Sequence, residues 1–252
     1  MDDAVYVYGV LRASELGSVS VAGVEESEVR GVEHGGLAAL TSRVTGGALA
    51  AAREVRAHWR VLEEASKNAT VLPVRFGTVL ESDDEVRARL LEPNADSLTA
   101  LLEEVAGCVQ LSVKGDYEET PLLREVVRTS PAVAELRERI SRLPEAAGYY
   151  DRIRLGELVA AEVARCRVGD TRHALDSLQP HAVAAKEEEP THPNAAFNLQ
   201  FLVAREKQPA FSRQVGKLAD ELGRRVDIRY VGPLPPYSFA EADLSAGSEA
   251  WA

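Results

Sequence analysis

Few residues in this chain are spaced for chemistry, and the one that stands out is a charge. Arg75 lies in the stretch 70–80, TVLPVRFGTVL, among Val71, Leu72, Val74 and Phe76. A guanidinium keeps its proton at any working pH and presents its donors in a fixed fork. Two readings are open for it. It is a charge at a strand end, snorkelling or paired with one carboxylate, or it is a contact position at a domain or partner interface. If it is even half buried, it needs a carboxylate or backbone carbonyls as partners. Nucleophilic chemistry finds no support nearby. No His, Cys or Ser arrangement accompanies the arginine, and Gly77 alone is no phosphate loop.

The five histidines form no recognisable acid–base constellation. His58, beside Trp59, reads as a packed or surface histidine because no acid or nucleophile is placed to use it. Cys108 and Cys166 are far apart and lack CxxC or Cys/His spacing, so they read as small core hydrophobes. No metal or cofactor is expected.

The elements around Arg75 follow from periodicity. Residues 70–80 are β-branched and aromatic enough for a buried strand, although Pro73 cannot donate to a ladder. Gly77 opens a turn, and Ser82-Asp83-Asp84-Glu85 is a capping box that starts a helix. Upstream, residues 5–11 alternate as a strand with Tyr6 and Tyr8 on one face and Val5 and Val7 on the other. Residues 29–34 and 37–44 flank Gly35-Gly36, a hairpin signal. Residues 54–66 place Val55, Trp59, Leu62 and Ala65 at helical spacing, a stripe to be buried. Two helices split by Pro93 follow, then a strand over 108–114.

Asp116 to Thr120 is a polar crossing and a plausible domain boundary. Beyond it the pattern turns helical. Ser130-Pro131 starts one helix, Tyr149 opens a long one, Gly169-Asp170 breaks it, and Leu175 and Leu178 mark a shorter one. Residues 182–188 are either an edge strand or solvated loop. Residues 196–204 form a strand, Pro209 starts a helix that Gly223 ends, and 226–231 is the last strand. Pro233, Pro235 and Pro236 then favour an extended path, with Tyr237 and Phe239 supplying ring area that packs it back on the body. From Ala240 the chain is small and acidic and reads as a mobile tail. Trp251 within it is either idle or a docking anchor. The order of strands and helices predicts an α+β fold in two domains, the first ferredoxin-like.

Composition narrows the function classes. The chain has 252 residues and a net charge of −11, from 29 Lys and Arg against 40 Asp and Glu. That balance, with no basic patch evident in the sequence, argues against nucleic acid. No apolar run approaches the roughly 20 residues that span a bilayer, and the acidic start MDDAVYVYGV lacks the positive charge of a signal peptide. A cytoplasmic protein without membrane insertion is expected. An enzyme lacks convergent groups. A small-molecule-binding regulator built on paired ferredoxin-like modules would need a glycine-rich ligand loop, which Gly35-Gly36 is too generic to supply. A structural or assembly protein, working through its surfaces, is compatible with all of this.

Four stretches add a resemblance. VLPVRFGTV (71–79) resembles the hallmark of the gas vesicle protein F/L family (GvpF/GvpL), carrying Pro73, Arg75, Phe76 and Gly77. AVYVYGVL (4–11) resembles that family's first strand. Tyr149-Tyr150-Asp151-Arg152 is similar to the opening of its long helix. GPLPPYSF (232–239) resembles its closing motif, with Gly232, Pro233, Pro236, Tyr237 and Phe239 in place and Leu234 where the family usually has Trp. The resemblance implies no enzymatic activity and an accessory or minor component of gas vesicles. Such a protein binds the small, hydrophobic main shell protein, gas vesicle protein A, and other gas vesicle proteins, and assists shell nucleation. It also implies a ferredoxin-like domain over 1–117, a helix-rich modified ferredoxin-like domain over 118–239 and a tail over 240–252. The motif residues, Tyr150 and Arg152 included, are the candidate interface positions.

Overall fold

A strand of tyrosines and valines organises the first half of the molecule. In the computed structural model, which describes residues 4–17, 19–45 and 52–240, β1 (Ala4–Arg12) lies at the centre of a sheet. It pairs antiparallel with β3 (Leu37–Val44), which forms a hairpin with β2 (Arg30–His34). On its other edge β1 receives two short pieces, β4 (Leu72–Pro73) and β5 (Val79–Leu80). The strand order is β2-β3-β1-β4, with β5 also on β1. Val7 faces Thr41 and Gly9 faces Leu40, so Tyr8 is an extra residue in a bulge. The bulge changes the alternation, and Leu11 joins Tyr6 and Tyr8 in one core cluster. Val5, Val7 and Val10 are fully buried as well, so both faces of β1 are covered.

The cluster around Tyr6 and Tyr8 is closed by α1 (Ala52–Ala65), through Ala57, Val61 and Leu62. The stripe expected from Val55, Trp59, Leu62 and Ala65 is rotated. Ala57, His58, Val61 and Leu62 face the core, while Trp59 is 40% exposed. A second helical layer is built from α2 (Asp83–Glu85), a π-helical turn over Val86–Leu91 and α3 (Ala95–Glu104). α3 packs on β1 and β4, with Leu98 and Leu102 buried. The capping box at its start forms in part. Ser82 Oγ accepts the Glu85 amide at 3.2 Å, and Glu85 reaches back to the amide of Glu81 instead of the cap residue.

Residues 70–80 are not the single strand their composition suggests. The Val74 amide donates to the Tyr8 carbonyl, after which the chain leaves the sheet at Arg75. It turns over Arg75–Thr78 and rejoins the same strand at Val79. Gly77 takes φ +88°, a conformation that a side chain disfavours, and this lets the chain bulge out and resume the same edge of β1 in the same direction. Pro73 is tolerated because β4 is an edge.

The second half is built on a four-stranded sheet of order β7-β8-β6-β9. Its elements run β6 (Cys108–Tyr117), α4 (Glu119–Thr129), α5 (Pro131–Ser141), α6 (Tyr149–Leu178), β7 (Ala184–Glu187), β8 (Ala195–Ala204), α7 (Gln208–Leu222) and β9 (Val226–Leu234). Three helices fill the first crossover of a β-α-β-β-α-β path. β8 is buried over nine of its ten residues, because both of its neighbours and a helix layer cover it. Phe211 of α7 meets Phe201 of β8 with ring centroids 5.1 Å apart. The α+β fold with two antiparallel sheets is as expected. No helix among the described residues is long and apolar enough to cross a membrane.

α6 is one helix of 30 residues, not two. Gly169-Asp170 does not break it because the Asp170 carboxylate is fully engaged elsewhere. Arg225 forks onto it at 2.7 and 2.8 Å, and Tyr117 Oη donates to it at 2.6 Å. An aspartate so occupied cannot compete for the backbone, which is how this residue type normally unwinds a helix. The same arginine also bonds Glu125 at 3.0 Å.

Contacts divide the chain at Gln110/Leu111, and residues 233–240 return to the first unit. The boundary expected from the sequence, 117/118, falls at the end of β6, which pairs within the second sheet. The acidic residues Glu241, Asp243 and Glu249, and Trp251, lie outside the described residues.

Candidate functional site

Three motif residues of the first unit, Phe76, Gly77 and Tyr237, meet around one buried histidine. β1 brings Tyr6 and Tyr8 inward, α1 brings His58, the 75–78 turn brings Phe76 and Gly77, and the closing segment brings Tyr237. His58 is 1% exposed. Its Nδ1 lies 2.9 Å from Tyr6 Oη, and its Nε2 lies 3.1 Å from Tyr237 Oη. The Gly77 amide donates to Tyr6 Oη at 3.1 Å. In the tautomer protonated at Nε2, Tyr6 Oη accepts from Gly77 and donates to Nδ1, and Nε2 donates to Tyr237 Oη. One continuous path runs from the backbone of VRFG, through two buried side chains, to the tyrosine of PPYSF.

Rings pack the path on both sides. Phe76 meets His58 at 5.5 Å and Tyr6 at 6.2 Å, both edge-on. Tyr237 lies against Trp59 with centroids 4.6 Å apart. Burial lowers the His58 pKa from 6.5 to about 4, so the ring is neutral near pH 7. Burial also pushes Tyr6 up to about 12, the Gly77 amide opposing that rise, and pushes Tyr237 upward. Neutral groups held in this way make a poor general base and a good clasp.

The closing segment is shaped to reach this place. Gly232 takes φ +148°, which only glycine holds without strain, and there the chain changes course. The path stays extended through Pro233 and Leu234, the end of β9. It is not extended beyond that: Tyr237 to Ala240 close into a turn, with Phe239 and Ala240 amides donating to the Pro236 carbonyl. Pro236 is buried, and Tyr237 and Phe239 are half-buried. Gln110 holds the turn twice, accepting the Ser238 amide at 2.8 Å and donating to Ser238 Oγ at 3.1 Å. The segment packs back on the body, as its proline and ring content suggests.

Other motif residues stand apart from the clasp. Pro73 is half-buried opposite Gly9 on the β4 edge. Arg75 is exposed and has no side-chain hydrogen bond or ion pair among the described residues. Only its carbonyl is engaged, by Thr78. Pro233 is exposed. In the second unit, Tyr150 is 83% exposed on the first turn of α6, beside Tyr149 at 62% and Ile153 at 47%. The exposed Arg152 extends its guanidinium toward Gly148 of the preceding turn. Among the described residues no group of three or more His, Cys, Asp or Glu could hold a metal ion.

Sequence reasoning passed over Tyr6, Tyr8 and His58 as a bonded set. The available signal was the pair of tyrosines on one face of a strand, since buried phenols require partners. It also passed over the Asp170–Arg225–Tyr117 group, for which the sequence carries no local signal.

Comparison with known proteins relates the whole chain to one family. A family model described as gas vesicle synthesis protein GvpL/GvpF matches residues 4–241. Gas vesicle protein F of Streptomyces sp. (strain CB03234) is 31% identical, the match covering 94% of this chain and 100% of that one. Gas vesicle protein L of the same strain is 29% identical, over 99% of this chain and 98% of that one. The crystal structure of the gas vesicle protein GvpF from Anabaena sp. PCC7120 superposes with a TM-score of 0.83 at 25% identity, covering 95% of this chain and 99% of that chain. With both motif segments inside the matched region and the fold shared end to end, the chain belongs to the GvpL/GvpF family of gas vesicle proteins.

Proposed function

We propose that this protein binds the hydrophobic main shell subunit, gas vesicle protein A, and assists nucleation of the shell by keeping that subunit from aggregating. The observation that carries this reading is the apolar tip of α6. Tyr149, Tyr150 and Ile153 are 62%, 83% and 47% exposed, with the two rings 5.4 Å apart. Tyr150 stands at a family-motif position without serving the fold's core, so its ring is free to serve a partner. Each tyrosine can bury on the order of 150–250 Å² against an apolar client. The net charge of −11 would keep such a complex dispersed. Arg75, exposed and without a side-chain partner among the described residues, is the second contact candidate. On this reading Pro73, Phe76, Gly77, Gly232, Pro233, Pro236, Tyr237 and Phe239 shape and hold the body that presents these contacts.

The test is co-expression with gas vesicle protein A, followed by sedimentation. The shell subunit should remain in the supernatant only when this chain is present, and moderate salt should not dissociate the pair, because apolar burial dominates. A Tyr149→Ser/Tyr150→Ser variant should fold with an unchanged circular dichroism spectrum and lose the protection. A shell subunit equally soluble with wild type, with the double variant and with no added chain would end the proposal.

A further inference from the structure

A second surface, in the first unit, has a chemistry unlike that of the α6 tip. With His58 and Leu62 turned to the core, α1 sends Arg53, Arg56 and Arg60 outward. At 3.6 residues per turn the three arginines fall within about 60° of one another and span about 10 Å along the axis. Trp59, 40% exposed, borders them with its ring against Tyr237. Glu63 borders the same open face. Arg53 is bonded to Glu54 at 2.6 Å, and Glu54 also accepts the Glu25 amide. Arg56 and Arg60 have no side-chain hydrogen bond or ion pair among the described residues.

We propose that this face of α1 docks an acidic helix of a partner protein, one with carboxylates at positions i, i+4 and i+7 and an apolar side chain among them. Charge complementarity identifies the occupant. Cations gathered on one face of a chain of net charge −11 attract an acidic segment there, while the rest of the surface repels it. The spacing fits a helix, because carboxylates at i and i+7 are also about 10 Å apart and can take guanidinium forks in sequence. Trp59, backed by Tyr237, supplies the ring anchor typical of such contacts. A nucleic acid is a worse fit, since three cations beside one ring cannot offset the repulsion of its phosphates by the rest of this chain. This surface is independent of the α6 tip, and its partner differs in kind from a hydrophobic shell subunit.

The probe is a fluorescein-labelled alanine-based helical peptide carrying Glu at i, i+4 and i+7 and Leu at i+3. It is titrated into the full chain by fluorescence anisotropy. Saturable binding is expected, weakening about tenfold when salt rises from about 50 to 300 mM. Arg56→Glu/Arg60→Glu should weaken it by about tenfold or more without moving the melting temperature, because both side chains are exposed. A peptide with Lys in place of Glu should bind that variant and not the wild type. Trp59→Ala should reduce affinity for the Glu peptide about fivefold. The proposal is overturned if Glu and Gln peptides bind alike, or if the charge-reversed variant binds as wild type does. It is also overturned if deleting residues 241–252, which contain Glu241, Asp243 and Glu249 and no Lys or Arg, raises the affinity tenfold, since the face would then belong to the chain's own acidic end.

Discussion

A neutral histidine between two phenols makes stability depend on pH in a definite direction. The folded-state pKa of His58, about 4, lies below its ordinary 6.5, so the unfolded chain binds more protons between those values. Stability therefore rises with pH through that window. The full contribution is present above about pH 6.5 and is lost as pH falls toward 4, a change on the order of 3 kcal/mol. His58→Gln should be less stable than wild type at pH 7 and should lack this part of the pH dependence. Denaturant titrations of both proteins between pH 4 and 7 measure the difference, and parallel profiles would contradict the assignment. At the other end of the path, Tyr237→Phe keeps the ring on Trp59 but leaves His58 Nε2 without its hydrogen-bond partner, for about 1–2 kcal/mol. Tyr237→Ala should cost more, about 2–4 kcal/mol, as the ring contact goes too. Arg75→Ala should stay within about 0.5 kcal/mol of wild type, since no bond is lost. The motif residues were visible in the sequence; their meeting was not. His58 and Tyr237 are 179 positions apart, and no periodicity encodes a contact of that range.

At the scale of elements, local rules held where an element answers only to its neighbours in sequence. The Gly35-Gly36 hairpin, α7 from Pro209 to Gly223 and the alternating β8 all form as composition dictates. They failed where tertiary partners decide. Gly169-Asp170 reads as a stop, yet α6 continues because Arg225, 55 positions downstream, takes the carboxylate. The α1 stripe rotates because His58 finds two hydroxyls inside and Trp59 finds Tyr237 outside. Residues 70–80 form two short strands instead of one because the Arg75–Thr78 turn feeds the Gly77 amide to a buried tyrosine. The α6 account makes opposed predictions for adjacent residues. A Cβ at Gly169 would meet nothing within 4 Å, so Gly169→Ala should stabilise by about 0.5–1 kcal/mol through helix propensity. Asp170→Ala leaves Arg225 without its fork and should destabilise by about 3–5 kcal/mol. Thermal unfolding of the two variants checks both signs; a destabilising Gly169→Ala would mean the helix is interrupted after all.

For the whole molecule, the chain builds its first unit from two separated pieces. Residues up to Gln110 supply the sheet and α1, and the segment from Pro233 supplies the clasp. We take the two contact units to be the protein's domains, the first of them discontinuous. A chain ending at Gly232 would lose the Tyr237 bond to His58, both Gln110–Ser238 bonds and the burial of Pro235 and Pro236. Together these should cost roughly 3–5 kcal/mol. The second unit keeps its own core, the Phe201–Phe211 contact and the Asp170–Arg225 pair, since none of these uses the removed segment. Amide hydrogen exchange therefore distinguishes a discontinuous domain from a trailing strap. In the truncated chain, β1 and α1 should exchange markedly faster, while β8 keeps its protection. Equal loosening of β1 and β8, or no change in either, would mean that the closing segment is not part of the first domain's structure.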